Sequence, residues 1–243
     1  MLPIRDINPT RTTPWVTLVF IAACVTVFFV FQGQQTVAEQ SEFLYRRAAI
    51  ACEVVTGQPL SAQEITSGQC DVGDEGPVFP EKLPWPAIFT SMFLHGGLLH
   101  LLFNMWSLWI FGNNVEEAFG HLRYALLYIL GGIVATGAFV VANPESTVPL
   151  VGASGAIAAA LGAYGVLFPG HRVLTLVGWF LIPMPASIFL AIWFVLQFGL
   201  GGTGTAWEAH VGGFLFGVIV AGVFRRSLLR RVAHAGRGMS GVP

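Results

Sequence analysis

Charged residues are scarce in this sequence: they make up 10% of its 243 residues, against about 25% in an ordinary soluble domain. With 54% hydrophobic residues and a mean hydropathy of +0.69, that scarcity excludes a soluble globular enzyme and points to a membrane protein. The net charge is −1, and no basic run is long enough to neutralise a phosphate backbone, which excludes nucleic acid as a partner. Internal repeats and low-complexity tracts are absent. No His-Glu-x-x-His pattern is present, so a zinc protease is excluded and no metal or other cofactor is expected. No apolar segment carries a carboxylate pair of the aspartyl-dyad kind. The soluble nucleophile elbow, Gly-x-Ser-x-Gly after a strand, also fails, because Gly152-Ala153-Ser154-Gly155-Ala156 has Ala where the second Gly belongs. Only three cysteines occur.

What is present is apolar sequence in six blocks: 14–32, about 92–112, about 122–142, 154–168, 186–199 and about 209–224. The first, at about 1.5 Å per residue, reaches about 28 Å and nearly matches a hydrocarbon core of about 30 Å. No Ala-x-Ala site follows it, so the expectation is a retained helix and not a cleaved signal. The fourth block stops at Pro169-Gly170 and the sixth at Arg225-Arg226. The apolar stretch before the fifth, from 173, is interrupted by Pro183-Met184-Pro185.

Short-loop cations set the expected orientation. Arg5, Arg11, Arg123, Arg172, Arg225, Arg226, Arg230, Arg231 and Arg237 fall on one side; Arg46, Arg47 and Lys82 fall on the other, all in the long first loop. Six spans place both termini in the cytoplasm, with residues 1–13 and the basic tail 227–243 there and the loop 33–91 outside. Residues 42–55 of that loop are expected to form a short interfacial helix. Cys24 lies in the first apolar block and reads as a packing residue. Cys52 and Cys70 lie in the outside loop. Spacing alone leaves both a bridge and two free thiols open, and a bridge is the expectation because the loop is too polar to hold itself together by apolar burial.

Ionisable and polar side chains within spans are costly and mark function. Here they are His95, His100 and Asn104 in the second block, Ser154 at the start of the fourth, and His210, after Glu208, at the start of the sixth. Alternation of direction puts Ser154, His210, His100 and Asn104 in the same leaflet. The fourth block yields about 22 Å of helix, about 8 Å short of the core, which implies a cavity open to the outside. A Ser hydroxyl needs a base, and His is the usual one. Ser154 at a helix N-terminus also sits among unpaired N–H groups suited to an oxyanion, and His100 and Asn104 share a face four residues apart. Blander readings stand beside each of these. Ser154 alone reads as an N-cap, His95 as a loop-ordering residue, and His100 and Asn104 as inter-helix hydrogen-bond partners. Gly152, Gly155, Gly213 and Gly217 alone read as close-packing residues. Their coincidence at one depth favours the functional reading.

Three stretches carry a family resemblance: His95-Gly96-Gly97-Leu98-Leu99-His100-Leu101-Leu102-Phe103-Asn104, then Gly152-Ala153-Ser154-Gly155, then Ala209-His210-Val211-Gly212-Gly213-Phe214-Leu215-Phe216-Gly217. Over about residues 80–226 the chain resembles the rhomboid intramembrane serine proteases. The resemblance implies an all-α polytopic bundle of six transmembrane helices over residues 14–226. It implies catalysis by Ser154 and His210, an oxyanion hole from the Ser154 N–H, Asn104 and His100, and supporting roles for His95 and the four glycines. It also implies transmembrane proteins as substrates, a cell (inner or plasma) membrane location and a site opening outward. Two features depart from the family pattern. Ala158 stands where many members carry an aromatic that packs on the histidine, and the first loop lacks a Trp-Arg pair. An inactive rhomboid-like protein binding transmembrane clients is the alternative, and loss of Ser154 or His210 would mark it. A transporter would need a polar path across both leaflets, which the inner portions of the spans do not offer. The fifth block, with bulky Phe189, Trp193, Phe194 and Phe198 between Pro183-Met184-Pro185 and the glycine-rich run Gly199 to Thr205, is expected to be a movable wall for lateral access.

Overall fold

The computed structural model describes residues 1–33, 36–73, 75–199 and 204–237, with side chains as far as Ala233. Strand β1 (Leu2–Asp6) is followed by α1 (Trp15–Thr26), whose last turns, Val27–Gln32, widen to π geometry. The first loop folds into α2 (Val37–Arg47), α3 (Ala51–Thr56), α4 (Ala62–Ser67) and α5 (Pro84–Ser91). Then come α6 (Leu98–Phe119), α7 (His121–Ala142), α8 (Ser154–Leu167), β2 (Arg172–Val177), β3 (Phe180–Pro185), α9 (Ala186–Gln197) and α10 (Trp207–Arg237).

The bundle is apolar on its outside as well as in its core, as a bilayer demands. Large apolar side chains such as Phe31, Leu122, Val141, Ile219 and Val223 face outward, and α1 with its π turn, α7 and α10 are long and apolar enough to cross a membrane. The centre is α8, which packs on α10, α7, α6 and α9. Its composition explains its place, since a helix of Gly and Ala lets neighbours approach closely. A Cβ on Gly213 would strike the Gly155 carbonyl, one on Gly217 the Ala159 carbonyl, and one on Gly162 the Phe214 carbonyl. Gly155 faces Ala135 of α7 in the same way.

Several elements differ from the sequence expectation. The second block becomes a helix only at Leu98, because Gly96-Gly97 breaks the backbone and 92–97 turn instead. That helix runs on to Phe119 and so takes in Glu116 and Glu117. They form no dyad. Glu116, fully buried, accepts from Val16 N–H (2.9 Å), Thr17 N–H (2.8 Å) and Thr17 Oγ1 (2.7 Å), and meets His121 Nδ1 at 2.6 Å. It thereby caps α1, whose own N-cap, Pro14, offers no side-chain acceptor. Glu117 accepts from Arg11 N–H at 3.1 Å.

The sixth block continues to Arg237, since Arg225-Arg226 ends an apolar run without ending a helix and Leu228, Leu229 and Val232 still pack on the core. The apolar stretch from 173 is a hairpin: β2 pairs antiparallel with β3 and with β1, in the order β1-β2-β3. Pro183 and Pro185 sit on the edge strand, where missing donors are tolerated. Within residues 1–13, Leu2–Asp6 is therefore a strand docked on β2. Asp6 accepts from Tyr164 OH (2.5 Å) and Asn114 Nδ2 (2.7 Å).

The expected interfacial helix 42–55 is two helices. A capping box of Thr36 and Glu39 starts α2, extended backbone at Ala48 and Ile50 separates the two, and α3 is largely buried. Cys52 and Cys70 are joined by a disulfide. Beside them the buried Lys82 ammonium meets Glu53 at 2.5 Å and donates to the Tyr45 carbonyl at 2.6 Å. Burial pushes the Glu53 carboxyl up and the Lys82 ammonium down from their ordinary values.

Candidate active site

Ser154 is the first residue of α8 and His210 lies in the first turn of α10. Glycine-mediated packing of the two helices brings Ser154 Oγ to 2.8 Å from His210 Nε2. Both line a cavity of about 710 Å³ shared with His100, Asn104 and Gly152.

The backbone entering α8 is specified by Gly152. Its φ of +124° disfavours a side chain, and a Cβ there would press on the His100 ring, 2.8 Å from Cε1. Its N–H donates to the Ser91 carbonyl at 3.0 Å. Ser154's own N–H, in the first turn of α8, has no carbonyl four residues back within the helix.

Asn104 is buried, and its Nδ2 has no hydrogen-bond partner among the described residues. A buried amide donor left unmet is costly, and this one belongs to a cavity-lining residue. His100 Nδ1 accepts a long bond from Gly96 N–H, 3.4 Å, which leaves Nε2 to carry the ring proton on the side of Gly152 and Ser154. His95 is fully buried, and neither ring nitrogen has a partner among the described residues. It works through its backbone: Gln32 accepts from its N–H (2.9 Å) and donates to its carbonyl (2.7 Å), while its ring stands edge-on to His100 at 5.3 Å. These two bonds tie the backbone of the turn before α6 to the end of the first helix.

Two contributors escaped the sequence reading. Gln32, at the end of α1, is one. Gln197, in the last turn of α9, is the other: its Oε1 lies 2.7 Å from His210 Nδ1, and its Nε2 donates to the Trp193 carbonyl at 2.9 Å. The signal available for both was an amide inside an otherwise apolar helix. Ala158, where an aromatic would have packed on the histidine, is fully buried within α8. Trp193 stands near His210 instead, ring centroids 6.2 Å apart. The expected hinge Gly199 to Thr205 lies in part, at 200–203, outside the described residues.

The chain's residues 83–227 match the Rhomboid domain. Similar proteins include Rhomboid protease GluP of Bacillus subtilis (strain 168), 33% identical over 156 residues, covering 61% of this chain and 29% of that protein. Rhomboid protein 1, mitochondrial, of Saccharomyces cerevisiae (strain ATCC 204508 / S288c) is 29% identical over 164 residues, 62% of this chain and 46% of that one. RHOMBOID-like protein 4 of Arabidopsis thaliana is 30% identical over 227 residues, 85% and 52% respectively. The chain thus spans about half or less of the length of these relatives.

Proposed function

This chain belongs to the rhomboid family, and we propose that it is an intramembrane serine endopeptidase that cuts transmembrane segments of other membrane proteins. The observation that carries the proposal is the 2.8 Å approach of Ser154 Oγ to His210 Nε2 inside a cavity that is also lined by Asn104, whose Nδ2 has no hydrogen-bond partner among the described residues. In this reading Ser154 Oγ attacks the scissile carbonyl as His210 Nε2 takes its proton. The oxyanion that forms receives the Ser154 N–H at the positive end of α8, Asn104 Nδ2 and His100 Nε2–H. His210 then returns the proton to the leaving amine, and the acyl-enzyme is released by a water that His210 deprotonates in turn.

The same proposal places α1, α6, α7, α8, α9 and α10 in the bilayer, with the sheet end and both termini cytoplasmic and the cavity opening on the other side. The arginine distribution supports that orientation. The test is incubation of purified protein in detergent with a panel of labelled single-span helices, alongside Ser154→Ala and His210→Ala. The proposal expects cleavage by the wild type alone. Helices bound but left uncut by the wild type would favour the client-binding alternative, and cleavage by either variant near the wild-type rate would remove the assignment of that residue.

A further inference from the structure

We propose that Gln197 is a positioning residue for His210: from α9 it fixes the imidazole tautomer and orientation that let Ser154 act, the part an acidic third residue plays in soluble serine hydrolases. The proposal rests on the Ser154–His210 reading above. Four observations lead to it. His210 Nδ1 faces Gln197 Oε1 at 2.7 Å. The amide's other end is committed, since Nε2 donates to the Trp193 carbonyl at 2.9 Å, which fixes which end is oxygen. The side chain is buried, 4% exposed, so water does not readily replace it. And Ala158 leaves the imidazole without a ring from α8 to lean on.

The chemistry follows from what an amide oxygen can do. It only accepts, so Nδ1 must carry the ring proton. Nε2 is then the lone-pair nitrogen, at 2.8 Å from Ser154 Oγ, ready to accept the hydroxyl proton. When that proton arrives, the ring becomes a cation with N–H on both sides, and the same oxygen now receives a charge-assisted bond. An acceptor at Nδ1 therefore steadies the imidazolium more than the neutral ring, a difference realised only as the reaction proceeds. A neutral acceptor also suits a site in a membrane, where a buried carboxylate would carry its own desolvation cost.

Gln197 also links the histidine to the wall. Its anchor, Trp193, lies on the same helix, and α9 packs chiefly on α8, α10 and the two strands before it. Any displacement of α9 that admits a substrate helix carries the acceptor away from His210, so the nucleophile is prepared only when α9 is in place. The titratable groups facing the imidazole are His100 from α6 and Glu208 on its own helix; α9 brings no charged residue.

The test uses the full chain in nanodiscs, read with a fluorophosphonate probe for serine labelling and a labelled single-span helix for turnover, across pH. Gln197→Leu keeps the bulk and removes the acceptor. It is expected to lower kcat by about 10- to 100-fold, the worth of a hydrogen bond to a charged group, with KM unchanged and the melting temperature lowered by only a few degrees, roughly what an unmet buried N–H costs. The acid limb of kcat/KM should move to lower pH, since the imidazolium has lost its acceptor. Gln197→Glu should retain turnover and move that limb to higher pH. Wild-type kcat and pH profile in Gln197→Leu would overturn the proposal while leaving the dyad reading intact. If Gln197→Leu does not fold, an unshifted acid limb in Gln197→Glu overturns it equally. A wild type that the probe does not label at Ser154 removes the dyad reading and this proposal together.

Discussion

Ser91 and Gly152 are tied backbone to backbone: the Ser91 carbonyl accepts the Gly152 N–H at 3.0 Å, two residues before the candidate nucleophile. Ser91 Oγ also accepts the Ala49 N–H at 2.6 Å, and the Ala49 carbonyl takes the Leu150 N–H at 2.8 Å. The first loop is thus stitched to the segment that delivers Ser154. The Lys82–Glu53 pair is that loop's buried charge. Lys82→Met leaves a carboxylate buried without its partner, at a cost of about 3–5 kcal/mol. Thermal unfolding in detergent should show a clear drop for the single variant and a substantial recovery in the double variant Lys82→Met with Glu53→Met. A single variant that melts with the wild type would show the pair to be inessential.

The same loop should loosen in acid. Desolvation works to raise the Glu64 carboxyl, but bonds from Ser61 N–H, Asp71 N–H and the Ser61 hydroxyl outweigh it and hold Glu64 below its ordinary 4.5. A carboxyl depressed in the folded state stabilises above its unfolded value, and that stabilisation is lost as pH falls through the folded value. Amide-exchange protection of Ser61 to Gly68, corrected for intrinsic rate, should be flat from neutrality to about pH 5 and fall below 4.5. Glu64→Gln should show the lower protection at every pH. Protection that declines between pH 7 and 6 would point to another group.

In the proposed mechanism Asn104 donates to the oxyanion, so Asn104→Ala removes that donor while leaving the ground state little changed. Turnover should fall by about 10²- to 10³-fold with KM nearly constant. Steady-state kinetics on a single-span substrate decide this, and a rise in KM with unchanged kcat would make Asn104 a substrate-binding residue.

Access past α9 is the next expectation. The aromatics of α9 and of the residue that follows it pack on α10 as well as facing outward: Phe194 meets Phe214 at 4.9 Å, and Phe198, just past the helix end, meets Trp207 at 5.3 Å. The pattern of the helix suggests Trp193→Ala and Phe194→Ala alike as loosening variants, but Trp193 stands beside His210, so its loss also unsettles the imidazole. Phe194→Ala is the cleaner variant and should speed cleavage of transmembrane helices. A disulfide tying α9 to α6 should block that cleavage until reduced while leaving labelling by a small fluorophosphonate intact. Unchanged helix cleavage in the oxidised form would exclude lateral entry.

Much of this arrangement is legible in the sequence. The convergence of Ser154, His210, His100 and Asn104 on one cavity follows from the alternating direction of the apolar blocks and from how near each residue lies to the start of its block. The limits of α7 and α8 follow because long apolar runs there end in turn residues. The hairpin at 172–185 was hidden because a short, continuous apolar run reads equally as buried helix or strand. The extension of α10 was hidden because arginine marks the bilayer's edge and not the helix's. Gln197, Gln32 and Glu116 were missed for a common reason: each meets a partner outside its own helix, His210, His95 and Thr17 respectively, and local pattern does not name such partners.

The account turns on Ser154 being a nucleophile activated by His210, and covalent labelling reads that directly. Wild-type protein in nanodiscs is treated with a fluorophosphonate, digested and mapped by mass spectrometry beside folded His210→Ala. The account predicts one adduct, on Ser154, in the wild type and little or none in the variant. An adduct on another serine, or equal labelling of Ser154 without His210, would contradict it.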